Sequence, residues 1–110
     1  MQTKIKEQNS QSKITPDESK FKELVLYIAE KYANDARFGA VKLNKLLFMI
    51  DNFAFAELGA PITGVEYVKR EQGPVPHRML PIKKEMIKAK DLLEVELETP
   101  YPHPMKRVIP

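Results

Sequence analysis

The chain has 110 residues and a mass of 12.7 kDa, 43% of them hydrophobic, which is enough for one small core and too little for two. Charged residues make up 30% of it and the formal net charge is +3, short of the dense Lys/Arg footprint of a dedicated nucleic-acid binder. With no cysteine, disulfide staples, thiolate catalysis and Cys-ligated zinc are excluded. The longest apolar run, Leu46 to Ile50, is far too short to span a membrane, and the polar N-terminus has no secretory apolar block, so a cytoplasmic protein without membrane contact is expected.

Residues 1–14, rich in Gln, Asn, Ser and Lys, carry too little apolar surface to offset ordering entropy and are predicted to be a disordered tail. The domain, 15–110, is predicted to begin at Thr15-Pro16-Asp17-Glu18, which reads as a capping box with proline at the first helical position. Phe21, Leu24, Val25 and Ile28 follow at helical spacing, and a first helix is predicted to about Asn34, before Gly39. A second helix is predicted from Val41 to Leu58, closed by Gly59 and Pro61. At about 100° per residue its core arc holds Leu43, Leu46, Leu47, Ile50, Phe53, Ala54 and Leu58. The opposite arc holds Asn44, Lys45, Asp51 and Asn52 as solvated residues, with Phe48 and Phe55 among them. Two aromatics on a polar arc need cover, either from the rest of the domain or from a partner.

A short strand is predicted around Tyr67, from Val65 towards Glu71, ended by Gly73-Pro74-Val75-Pro76. A third helix is predicted from about Leu80 to Ala89 around Met86 and Ile87. The alternation in Leu92-Leu93-Glu94-Val95-Glu96-Leu97-Glu98 predicts a strand with one buried face, paired across a proline-rich loop with Arg107-Val108-Ile109. The fold class is therefore α+β: a mainly helical small domain with a short antiparallel sheet made of the terminal hairpin plus the Tyr67 strand.

Catalytic chemistry has no foothold in this pattern. His77 and His103 stand beside prolines without acidic partners at ligand spacing, so no metal is expected. Four glycines form no phosphate loop, and Asp51, Glu57, Glu66 and Glu71 read as scattered charges rather than an acid–base pair. No enzyme activity and no cofactor are expected. Lys83, Lys84, Lys88 and Lys90 form a basic stretch balanced in part by Glu85 and Asp91.

Lys42-Leu43-Asn44-Lys45-Leu46-Leu47-Phe48, Asp51, the Gly59-Ala60-Pro61-Ile62 turn, Tyr67 and Gly73-Pro74-Val75-Pro76, in this order from about Phe21 onward, resemble the Panacea domain, the SocA-like antitoxin domain also seen in phage-associated GepA-like proteins. The resemblance implies the antitoxin of a toxin-antitoxin system, binding a cognate toxin protein directly, and an adaptor step towards a ClpXP-type protease. The candidate partner-binding residues are Lys45, Phe48, Asp51, Asn52, Phe55, Tyr67, Gly73, Pro74 and Val75. Phe48 stands where the family often has tyrosine, and family members continue past the hairpin, so the resemblance implies a domain lacking its C-terminal helices. An uncovered Phe48/Phe55 patch would then favour a homo-oligomer. The alternative is a nucleic-acid-binding transcriptional regulator, phage-associated or autoregulatory, using the lysines of the third helix.

Overall fold

Asp17 sets the start of the first helix. Its carboxylate accepts a hydrogen bond from the Lys20 amide at 3.0 Å, so α1 spans Glu18–Lys31, with Asp17 rather than Thr15 as the capping residue. The computed structural model describes residues 15–100 and 102–110; the predicted tail, 1–14, lies outside them. Phe21, Val25, Ile28 and Ala29 form the buried stripe of α1. The helix stops earlier than Asn34, at Tyr32, whose ring stacks on Phe38 with centroids 5.6 Å apart. Phe38 is buried and carries the connecting loop into the core.

The second helix, α2, spans Ala40–Leu58 and ends where Gly59 turns left-handed at φ 79°, a conformation that costs glycine little. Gly39, ahead of it, is packed so closely under Met105 that an added Cβ would collide with that side chain. A strand β1, Tyr67–Arg70, pairs antiparallel with β2, Gly73–Pro76, in the register Tyr67↔Pro76 and Arg70↔Gly73. Gly73-Pro74 thus opens a return strand rather than ending the sheet. Pro74 and Pro76 are two residues apart, so both missing amide donors fall on one edge of β2, which blunts that edge against further pairing.

A third helix, α3, spans Met79–Lys88 and buries Met79, Ile82 and Met86 at helical spacing. Lys90 adopts φ 65° just beyond it, and the Lys90 and Asp91 amides donate to the Ile87 and Met86 carbonyls, closing the helix in a Schellman arrangement. The chain then forms β3, Leu93–Leu97, and β4, Met105–Ile109, paired antiparallel. Among the described residues the fold is α+β as predicted, with three helices and two small sheets; the Tyr67 strand pairs with its own return strand and not with the terminal hairpin.

One core joins these parts: Phe21, Val25 and Ile28 of α1, Leu43 and Leu47 of α2, the α3 stripe, Phe38, Leu92 and Val108. Among the described residues the terminal hairpin enters it through Leu92 and Val108. Leu93, Leu97 and Ile109 turn out, with Leu93 62% exposed, while Val95 and Met105 are half-buried. The expected buried face of β3 is therefore the wrong one. Glu94 lies opposite Val108 on the inward side and its carboxylate meets Lys83 of α3 at 2.5 Å, so an ion pair occupies the position that alternation assigned to solvent.

Candidate functional site

Asp51 organises the region around α2. It is 4% exposed, and among the described residues it forms no ion pair. Instead its carboxylate accepts from the Thr63 amide at 2.8 Å, from the Thr63 hydroxyl, and from the Tyr67 phenol at 2.8 Å. Three donors from two different segments converge on one ionisable group, and bonds of this charge-assisted type are the means by which a buried carboxylate is tolerated. Burial, and then the carboxylate as hydrogen-bond acceptor and negative neighbour, raise the Tyr67 phenol above its ordinary value, so Tyr67 stays a neutral donor. Thr63 is fully buried and its hydroxyl also accepts from the Val65 amide at 3.3 Å. The Asp17 amide donates to the Thr63 carbonyl at 2.8 Å, which brings the start of α1 into the same network.

Above this anchor lies an exposed aromatic surface. Phe48, one turn before Asp51, meets the Tyr67 ring edge-on, centroids 5.2 Å apart and planes at 79°, a favoured quadrupolar arrangement. Phe48 remains 37% exposed. Lys45, one turn earlier still, lays its aliphatic stem along Gly73, where an added Cβ would lie 3.1 Å from the lysine Cε. Gly73 has φ 124°, a backbone conformation that favours glycine. Phe48, Tyr67, Lys69, Glu71, Gly73 and Pro74 edge a shallow depression of about 460 Å³.

A family model describing the SocA-like antitoxin, Panacea domain, matches residues 43–104. The chain belongs to this family. The Panacea match opens at Leu43, later than the resemblance from Phe21, and contains the Asp51 network, the aromatic surface and the first hairpin. No curated protein and no solved structure matches the chain significantly.

Within this Panacea domain the candidate residues separate into groups. Lys45, Phe48, Tyr67, Gly73 and Pro74 share the one surface just described. Asn52 is exposed beside it and its side-chain amide donates to the Phe48 carbonyl at 2.8 Å. Phe55 is 45% exposed two turns beyond Phe48, outside the depression. Val75 turns to the other side of the hairpin, and Asp51 lies beneath the surface as its support.

Two expectations of the helical projection are corrected. Asn44 and Asp51, placed on the solvated arc, are buried, while Phe53 and Leu58, placed on the core arc, are largely exposed. Hydrophobicity alone sets the projection, but the β1–β2 hairpin packs on the arc that carries Asn44, Phe48 and Asp51, and donors from Thr63 and Tyr67 make burial of the carboxylate tolerable. Thr63 escaped the sequence reading, and Asn44 entered it only as a solvated residue. A threonine two residues after a proline, within reach of a helical aspartate, carries no signal that spacing can resolve. Among the described residues no group of three His, Asp or Glu could hold a metal ion, and no helix is long and apolar enough to cross a membrane.

Proposed function

We propose that this Panacea domain is the antitoxin of a toxin-antitoxin pair and neutralises a cognate toxin by direct protein contact, without catalysis, in the cytoplasm. Family membership supports the role. The observation that carries the location is the Phe48–Tyr67 pair, part-exposed yet held edge-to-face on a support anchored by Asp51. Rigid aromatics ringed by polar side chains, here Lys45, Lys69 and Asn52, have the composition of a binding hot spot and lose little entropy on contact. Transfer of the captured toxin to a ClpXP-type protease is a further step that the resemblance implies, and it predicts a shorter toxin half-life when the domain is present.

The test is co-expression with the product of the adjacent gene. Growth arrest by that product alone, relieved by this chain and not by its Phe48→Ser variant, is the expected result. A neighbour that is harmless alone, or equally toxic with and without the chain, overturns the reading.

A further inference from the structure

On the far side of the first hairpin, a groove of about 420 Å³ runs between the N-terminal end of α2, the β1–β2 hairpin, α3 and the terminal hairpin. Leu43, Val68, Val75, Met79 and Val108 line it with apolar surface, and Arg70, His77 and Lys106 add polar groups. Arg70 and Lys106 make no ion pair among the described residues, whereas the carboxylate of Glu94 at the same groove is engaged by Lys83. The unbalanced charge there is positive. Gly39 and Ala40 border the groove as well, and α2 starts at Gly39 with no side-chain cap and no acidic residue in its first turn, so the helix end adds positive potential.

A separate observation specifies the ligand further. Asn44 lines the groove, is 8% exposed, and its Oδ1 is buried with no hydrogen-bond partner among the described residues. A buried acceptor without a donor is costly and uncommon. The side-chain amide of asparagine is the complement of a peptide group, accepting from its N–H and donating to its carbonyl. A phosphate backbone offers only acceptors, so it leaves Oδ1 unpaired and sets charge against an apolar lining.

We propose that this groove binds an extended acidic segment of a protein partner, with an apolar side chain on the half-buried Val68–Val75 surface, a carboxylate at Arg70 or Lys106, and a main-chain peptide group on Asn44. The partner is the toxin if the antitoxin reading holds, and the groove then supplies a second contact beside the aromatic surface. Pairing along the outer edge of β2 is disfavoured, because Pro74 and Pro76 remove its donors.

The experiment is selection of phage-displayed random heptapeptides on the folded chain, followed by affinity measurements with the enriched peptides and with a dT oligonucleotide. Enriched peptides are expected to place Asp or Glu beside an apolar residue. Their affinity should fall about ten-fold in Arg70→Glu/Lys106→Glu. It should fall about five-fold in Asn44→Leu, with an unchanged or raised Tm, because Asn44 Oδ1 has no internal bond to lose. No enrichment, enrichment without acidic bias, full affinity in these variants, or equal binding of dT overturns the proposal. A chain that rescues growth in co-expression but selects no acidic peptide overturns the groove alone; one that selects acidic peptides and rescues nothing overturns the antitoxin reading alone.

Discussion

The two hairpins hang on the same helical frame but are held by different chemistry. β1–β2 is only four register pairs long and carries two prolines, and its hold on α2 is a buried carboxylate that draws donors from Thr63 and Tyr67. β3–β4 has five pairs and, beyond Leu92 and Val108 in the core, is held by contacts nearer the surface. Arg107 donates to the Tyr32 and Ala33 carbonyls at 3.0 and 2.8 Å, capturing the free end of α1, and the Lys83–Glu94 pair ties β3 to α3. Water reaches the second set of contacts more readily than the first. The first hairpin should therefore behave as part of the core, and the second as a peripheral element that can loosen without unfolding the domain.

Asp51→Ala is the severest way to break this contrast. It leaves the Thr63 amide, the Thr63 hydroxyl and the Tyr67 phenol without their acceptor and should cost about 3–5 kcal/mol, read as denaturant midpoint, on the scale of breaking a buried charged network. Tyr67→Phe removes one donor and should cost about 1.5–3 kcal/mol. It also has a pH signature. The folded chain holds the phenol proton more tightly than the unfolded chain, whose phenol titrates near 10.0, so this contribution is present below that pH and is lost as pH rises above it. Thermal melts of the wild type should thus lose stability above about pH 10, and those of Tyr67→Phe should lose less over the same interval.

Arg107→Ala should cost about 1–2 kcal/mol and raise amide exchange in β3–β4 while leaving β1–β2 protected. Equal exchange in both hairpins would remove the distinction. The smallest effect is expected from the surface pairs. Hydrogen bonding to Lys22 lowers Glu85 and hydrogen bonding to Lys42 lowers Asp35, so each pair's contribution is present above the ordinary carboxylate range and fades as pH falls through the lowered values. Lys22→Met should leave the midpoint nearly unchanged at neutral pH.

Much of the frame was readable before any coordinates. Gly59 and the apolar density from Leu43 to Ala54 set the end and course of α2, and the Leu93–Leu97 alternation paired with Arg107–Ile109 set the terminal hairpin. Orientation was less readable than existence. The inner side of β3 is polar because Lys83 reaches Glu94, and the inner side of α2 includes Asn44 and Asp51 because hydrogen bonding, not hydrophobicity, governs those positions. The pairing of β1 with Gly73–Pro76 was hidden by its prolines, which read as a stop although both fall on one edge of an edge strand. Of the candidate site, the grouping of Lys45, Phe48, Tyr67 and Gly73-Pro74 was legible from the motif order, and the division between supporting Asp51 and exposed Phe48 was not.

The central claim is that the Phe48 side of α2, and not its equally apolar outer side, meets the partner. Met49 is 62% exposed on that outer side and serves as the control. Binding of the adjacent gene's product, measured by titration calorimetry on Phe48→Ser and Met49→Ser chains with native circular dichroism spectra, tests it directly. The account predicts that Phe48→Ser weakens binding by about thirty-fold or more and Met49→Ser by less than about three-fold. Unchanged affinity in Phe48→Ser, or a larger loss in Met49→Ser, would contradict it.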